Sequence, residues 1–402
     1  CGTEFGCNEN LARCSTCGGV LSVKYKELDF ASISGNFNSN FQGMWKHIAV
    51  LPIISDKPVT LGEGGTPLVH LEGWTRMGSR IFAKLETMNP TGTYKDRPAS
   101  VSVSRALEMG ARGITVASDG NAAPAVAAYA ANANIPCVVF MPRGTPKERT
   151  IQACAYGAKN ILVIGDINDC LNRAEDAAKY LGFVNCSTTA TVNPYQIEAD
   201  KTIGFEIVEQ LGHCPDWISL PLGGGSLLCG MIKGLRELFK ARVIEKMPRI
   251  IVSQAEVCSP FVRAFKSGLP ICREDKQSPT LALTIAVPYP PDGAYAIDAL
   301  KSVKGDAVAV TEEELLVAID RLARKYGILA EPSGAASVAG LVRKEKEGIF
   351  EEGAEIVAVI TGTGLKTLEV FSKELQKDPM ACLPNDPNII ISHIKKEWLD
   401  SF

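Results

Sequence analysis

Gly113-Ile-Thr-Val-Ala-Ser118 is followed by Asp119-Gly120-Asn121, then by Ala122-Ala-Pro-Ala-Val-Ala-Ala-Tyr-Ala-Ala-Asn-Ala-Asn134, and then by Cys137-Val-Val-Phe-Met141. The first run is apolar, bounded by glycine and polar residues, and too short for a helix. The second is alanine-rich and long enough for three helical turns, and the third is apolar again. Strand, helix and strand in so short a span make a βαβ unit, which requires a parallel sheet covered on both faces. Outward from this unit the alternation continues. Helices are expected over Ala99–Gly110, Thr145–Gly157 and Ile167–Leu181, with strands over Asn160–Ile164 and Phe183–Asn185. A second series pairs the helices Glu198–Leu211 and Leu227–Lys240 with the strands Asp216–Leu220 and Arg249–Gln254. Thr311–Tyr326 opens with Thr and three Glu, a good helix start, Ser333–Glu347 is helical, and Ile356–Ile360 is a continuously apolar strand. The fold class is α/β, with two open layers whose ligands sit at strand carboxyl ends.

Composition narrows the function. The chain has 402 residues, 46% hydrophobic and 22% charged, with 42 Lys and Arg against 45 Asp and Glu, a formal net charge of −3. A balance so close to neutral lacks the basic footprint of a nucleic-acid binder, so no nucleic-acid partner is expected. No stretch approaches the roughly 20 apolar residues of a membrane helix, so no membrane partner is expected either. Of the 13 cysteines, those from Cys137 onward are dispersed, several in apolar segments. They read as small buried hydrophobes of a reducing compartment, and with no secretory pattern a cytoplasmic location is expected. Cys1, Cys7, Cys14 and Cys17 crowd together instead. Cys14-Ser-Thr-Cys17-Gly18-Gly19 has the form of a zinc knuckle, and Cys1-Gly2 looks like half of another. Four thiolates from these residues would make a structural zinc site with no open position for substrate, while unligated thiols are the plainer reading.

The sequence has no His-Glu-x-x-His, no Gly-x-Ser-x-Gly and no phosphate-cradling Gly-x-x-x-x-Gly-Lys loop, so catalysis needs a borrowed electrophile. Four segments point to one. Asn89-Pro-Thr-Gly-Thr-Tyr-Lys95-Asp-Arg97 places a lysine at a helix mouth, where burial and the helix end lower its pKa and ready it to condense with an aldehyde. Gly223-Gly224-Gly225-Ser226 joins a strand to a helix, letting the backbone close on a phosphate at the positive helix end. Ser118-Asp119-Gly120-Asn121 offers compact polar groups at another strand-to-helix turn. Thr361-Gly-Thr-Gly-Leu365 ends the last strand with a hydroxyl able to meet a ring nitrogen. Singly, each has a bland reading: an exposed lysine, a tight turn, a helix cap.

In order, these segments resemble the fold type II pyridoxal-phosphate enzymes, and among them the threonine synthase family. Leu61-Gly-Glu-Gly-Gly-Thr-Pro-Leu68, the Lys95 segment, Asn193-Pro194 through Glu198, Lys201 and Thr202, Glu331-Pro-Ser-Gly-Ala-Ala-Ser337 and Thr361-Gly-Thr-Gly-Leu-Lys366 carry the resemblance nearly end to end. It implies two open twisted-sheet α/β domains: a small one over 99–190, and a large cofactor-binding one from 26–98 and 191–402, after a Cys-rich segment over 1–25. It implies pyridoxal 5'-phosphate on Lys95, Asn121 at the pyridine 3-oxygen, Gly223, Gly224, Gly225 and Ser226 around the phosphate, and Thr361 at the ring nitrogen. Ser118, Asp119, Gly120, Ala122, Asn193 and Gln196 are the implied substrate residues, and a homodimer is the family habit. The implied reaction converts O-phospho-L-homoserine and water to L-threonine and phosphate. Two departures keep an alternative open. Asp119 stands where the family has Ser, and Gln196 where many members have a phosphate-suited Arg, with Arg97, Lys147, Arg149 or Lys201 available to compensate. The alternative is β-elimination or β-replacement on another amino acid, as in serine/threonine dehydratases or cysteate synthase. A catalytically idle binding protein is a third reading, which the intact Lys95 segment opposes.

Overall fold

In a computed structural model of the chain, the described residues are 1–6, 11–26, 41–74, 78–145, 147–274, 279–377 and 381–396. The order of elements is β1 (Leu68–His70), β2 (Arg80–Leu85), α1 (Asp96–Glu108), β3 (Ile114–Ala117), α2 (Ala122–Asn132), β4 (Cys137–Pro142), α3 (Lys147–Ala155), β5 (Lys159–Val163), α4 (Ile167–Leu181) and β6 (Val184–Asn185). There follow α5 (Gln196–Leu211), β7 (Trp217–Pro221), α6 (Ser226–Lys240), β8 (Arg249–Ala255), α7 (Pro260–Ser267), α8 (Gly293–Ser302), β9 (Asp306–Val310), α9 (Glu312–Tyr326), α10 (Pro332–Lys346) and β10 (Glu355–Ile360). Residues Cys1–Lys366 form one compact unit. Thr367–Phe402 form a second, with α11 (Leu368–Lys377) and α12 (Pro387–Ile394), the latter capped by the Asp386 side chain accepting from the Asn388 and Ile389 amides.

The alternation read from 113–141 becomes a parallel four-stranded sheet of order β5-β4-β3-β6. Ile114, Val116, Val139 and Met141 are buried against α1 and α2, each such side chain contributing roughly 1.5–3 kcal/mol. The second sheet has the order β1-β2-β10-β7-β8-β9, parallel except for the β1–β2 pair. The two sheets are those of the α/β class.

Several elements depart from expectation. Strands β1, β2 and β9 and helices α7, α8, α11 and α12 have no counterpart in the sequence reading. Strand β2 hides because Lys84 interrupts its apolar run. That lysine is fully buried, with Nζ 2.7 Å from Glu206 Oε2 on α5. Helix α1 begins at Asp96 rather than Ala99, because Pro98 falls in the first turn, where no N–H is needed. The stretch before the first sheet packs as an arm: Trp45, 1% exposed, donates to Glu63 Oε1 and to Ser100 Oγ at 2.5 and 3.0 Å. Further upstream Tyr25 donates to Glu198 Oε2 at 3.0 Å and lies under Lys201 Nζ, 4.2 Å from the ring centre.

Candidate active site

Lys95 sits at the mouth of α1, and its loop is stapled to the end of β10. Thr363 N donates to Gly92 O at 2.9 Å, Tyr94 N to Thr361 O at 3.0 Å, and Thr93 Oγ1 to the same carbonyl at 3.0 Å. The close approach requires Gly92, whose φ is +79° and where a Cβ would lie 2.6 Å from the Thr363 methyl. Behind the lysine, Arg97 is locked in a fully buried fork: Nε and Nη2 reach Glu86 at 2.8 Å each, while Nη1 and Nη2 reach Glu206 at 2.6 and 2.8 Å. The Lys95 backbone is therefore fixed from both sides.

The ends of β3, β7 and β10 converge on one cavity of about 130 Å³. Lys95 and Thr361 line it, as do Ser118, Asp119, Gly120, Asn121 and Ala122 from the turn before α2. Gly223, Gly224, Gly225 and Ser226 line its other side. Lys95 Nζ donates to Thr188 Oγ1 at 2.8 Å. Burial pushes the amine's pKa down, opposed by the charges of Asp200, Asp292 and Asp119. Burial also pushes the Asp200 carboxyl up to about 7, with Lys95 its main opposing charge. Each group of this buried pair is driven toward its neutral form. An amine that sheds its proton easily is a nucleophile for an aldehyde.

Gly225 has a φ of +105°, and a Cβ on Gly223 would lie 2.8 Å from the Thr284 carbonyl. The turn thus keeps a cradle no side chain can fill, and α6 points its free N–H groups and positive dipole end into it. Asp292 secures the cradle: its N–H donates to Gly224 O at 3.0 Å, and its carboxylate accepts from Thr189 Oγ1, Ala190 N and Thr191 N at 2.8, 2.9 and 3.2 Å. Opposite, Asn121 Nδ2 donates to Glu331 Oε1 at 2.8 Å, while Asn121 Oδ1 and Glu331 Oε2 are buried without a hydrogen-bond partner. A lysine, an anion cradle, open amide and carboxylate atoms and the Thr361 hydroxyl fit a phosphorylated pyridine aldehyde.

Two expected substrate residues lie elsewhere. Asn193 is off the cavity wall and donates to Ser102 Oγ at 2.8 Å. Gln196, the first residue of α5, is fully buried away from the wall, with both amide atoms lacking a hydrogen-bond partner. The helix start that follows Pro194 turns both inward, a placement their spacing does not reveal. Sequence reasoning gave no role to Thr188, Thr284, Asp292 or Glu331. Only Glu331 had a signal, its place in a quoted motif.

The model of a family described as "Pyridoxal-phosphate dependent enzyme" matches residues 59–362, spanning Lys95, the glycine turn and Thr361. The chain belongs to this pyridoxal-phosphate dependent enzyme family. Its cofactor is pyridoxal 5'-phosphate. The threonine synthase of Methanosarcina acetivorans is 36% identical over 91% of this chain and 90% of its own length. That of Mycobacterium tuberculosis is 36% identical over 86% of this chain and 93% of its own. Among solved structures, maize serine racemase matches 78% of this chain and 93% of its own, with a TM-score of 0.65 and 22% identity, a likeness of fold.

A second cluster lies in the amino-terminal segment. The Sγ atoms of Cys1, Cys14 and Cys17 all lie within 4.8 Å of one another, whereas Cys7 lies outside the described residues. Cys14 N donates to Gly19 O and Gly18 N to Cys14 O, both at 2.8 Å, closing the knuckle turn. The Cys17 and Thr16 amides directed at Cys14 bring its thiol down to about 7.

Proposed function

We infer that the chain is a threonine synthase, converting O-phospho-L-homoserine and water to L-threonine and phosphate. The observation that carries this is threonine synthases 35–36% identical over 91% of the chain, together with a lysine-led cavity fit for the cofactor. Lys95 holds the cofactor, Asn121 meets its phenolic oxygen, Gly223, Gly224, Gly225 and Ser226 hold its phosphate, and Thr361 meets the ring nitrogen. Bound in this way, the cofactor supplies an electron sink for charge developing at the substrate Cα. Thr361 offers a hydroxyl, which cannot keep the ring nitrogen protonated as a carboxylate does, and so tempers that sink. The Ser118–Ala122 turn orients the substrate carboxylate. Lys95 Nζ, steadied by Thr188, would take protons from Cα and Cβ as the γ-phosphate leaves. It would then return one to Cγ, which becomes the methyl, and one to Cα, as the water's hydroxyl adds at Cβ and its remaining proton goes to the released phosphate. Asn193 and Gln196 take no part in this reading.

The finer assignments belong to the same proposal. Cys1, Cys14 and Cys17 suit three ligands of a structural zinc, with Cys7 the fourth. Residues 99–190 form the small domain and 26–98 with 191–402 the large one. The enzyme is a cytoplasmic homodimer acting on a small amino acid. Among the described residues no helix is long and apolar enough to cross a membrane.

Incubating the purified holoenzyme with phosphohomoserine tests the reading, which expects phosphate and threonine released one for one. Release of neither, with cofactor bound, rejects it. A second reading, elimination on serine, threonine or phosphoserine, is favoured by Asp119 on the cavity wall and Gln196 off it. Keto-acid formation from such amino acids, without threonine from phosphohomoserine, would select it.

A further inference from the structure

We propose that Glu331 is a positioning residue of the reaction: its carboxylate fixes the Asn121 amide so that an N–H faces the phenolic oxygen of the cofactor. The assignment rests on the cofactor placement proposed above and goes beyond it, since Glu331 holds no part of the cofactor there.

Both residues forgo what their places in the chain offer. Asn121 is the N-cap of α2 and Glu331 the N-cap of α10, yet neither side chain makes a capping bond to its own helix. An Asn at such a place ordinarily accepts from the amides of the first turn, which otherwise lack partners. Here the two side chains meet each other instead, Asn121 Nδ2 donating to Glu331 Oε1 at 2.8 Å. Both are buried and line the cavity. Their bond joins the helix after β3, in the four-stranded sheet, to the backbone beside the end of β10, in the six-stranded one.

The carboxylate is itself held in place. Glu331 N donates to Gly362 O at 3.0 Å and Gly364 N to Leu329 O at 2.8 Å, so the chain before α10 is laced to the turn that carries Thr361. A Cβ on Gly362 would collide with Glu331 Oε1 and stand 3.1 Å from Asn121 Nδ2, so glycine at 362 leaves room for this contact. Lys366, whose Nζ is buried without a hydrogen bond, is the cation that faces Glu331.

An amide has two ends of nearly equal size, and its partners decide which way it turns. A carboxylate only accepts, so it selects the NH2 end of Asn121. Among the described residues Asn121 Oδ1 has no hydrogen-bond partner, so no rival contact turns the amide the other way. One N–H is spent on Glu331, and the second, on the same nitrogen, is left for the phenolic oxygen, which it stabilises as an anion. A neutral amide at 331 could donate as well as accept. It would let Asn121 turn and present Oδ1, which repels that anion.

The test records the visible spectrum of purified holoenzyme, in which an ionised phenolic oxygen absorbs at longer wavelength than a protonated one. Glu331→Gln should lower the ratio of long- to short-wavelength absorbance by at least about twofold, and kcat by about tenfold with KM within about twofold. Glu331→Asp keeps the charge but is one methylene shorter than the contact requires. It should shift the ratio the same way, and it serves if the Gln variant fails to fold. Loss of a negative charge alone would favour the ionised oxygen. A ratio that rises in either variant, or stays unchanged in both, therefore overturns the assignment. With Asn121 already replaced by Ala, Glu331→Gln should leave the ratio unchanged, as expected of a residue that acts only through Asn121. A shift of undiminished size in that background also overturns it. If wild type shows the visible band and makes threonine, these contrary results remove Glu331 alone. If it shows the band and makes no threonine, the synthase reading falls and the spectra still judge Glu331. If it shows no band, the cofactor placement and this assignment fall together.

Discussion

Replacing Arg97 by Met removes the guanidinium and keeps most of the volume. Glu86 and Glu206 are then left in a fully buried pocket. Glu206 keeps Lys84 at 2.7 Å, but Glu86 retains only neutral donors, Thr66 Oγ1 at 2.7 Å and Asn89 Nδ2 at 2.8 Å. Breaking a buried pair in this way costs about 3–5 kcal/mol, and the surviving lysine places the expected loss near the lower bound. An unfolding entropy of about 2.1 cal/mol/K per residue over roughly 400 residues converts 3–5 kcal/mol into a fall of about 4–6 °C in the thermal midpoint. In the wild type, burial pushes both carboxyls up, but the charge and hydrogen bonds of Arg97 together with the charge of Lys84 outweigh it and hold them below the ordinary range. Their stabilisation is therefore present above the unfolded carboxylate pKa of about 4.3 and is lost as the pH falls through the folded values. In the variant, burial of Glu86 is opposed only by Lys84 and two neutral donors and its folded pKa rises, so acidification from pH 7 relieves the variant while the wild type keeps its stabilisation down to the unfolded value. The difference in midpoint, measured by calorimetry from pH 7 down to about 4.5, should shrink steadily. A loss under about 1 °C at pH 7, or a gap that widens in acid, would refute the reasoning.

Three further outcomes are expected. Lys95→Ala should abolish the protein's visible cofactor absorbance and lower turnover by at least about a thousandfold, measured as phosphate release. Gly225→Ala forces a side chain onto a φ of +105°, with its Cβ 3.1 Å from that of Ala296, and should weaken cofactor binding by about tenfold in an absorbance titration. Asp200→Asn removes a carboxyl that burial lifts to about 7, whose ionisation costs stability as the pH rises from about 4 through that value. The cofactor-free variant should therefore gain in thermal midpoint over wild type at pH 8 and not at pH 4.

Much of the fold and part of the site could be read along the chain, for a local reason. The runs 113–118, 137–141 and 356–360 are largely apolar because their strands are covered on both faces, and α4 and α9 announce themselves by capping boxes at Asp166 and Thr311. The 118–122 turn, the 223–226 turn and Thr361 follow apolar strands and Lys95 opens a helix, so local signals place the turns and Thr361 at strand carboxyl ends, where ligands bind. Asn193 and Gln196 show where such reading stops. Their motif is local, but which way the start of α5 faces is settled by packing.

The sequence by itself determined that the chain alternates strands and helices, that it carries a lysine fit for an aldehyde cofactor, and that glycine turns stand ready for a phosphate. These follow from residue type and short-range spacing. Tertiary structure alone decided that β2 pairs with β10, across more than half the chain, with a buried lysine in the strand. It alone decided that Glu331 meets Asn121 over 210 positions and that Arg97 is committed to Glu86 and Glu206 while Arg149 donates to the Asp119 carbonyl. Partner choice among buried charges depends on which elements meet in space, because a charge withdrawn from water must find its counterpart within a few ångströms, however far away that counterpart lies along the chain.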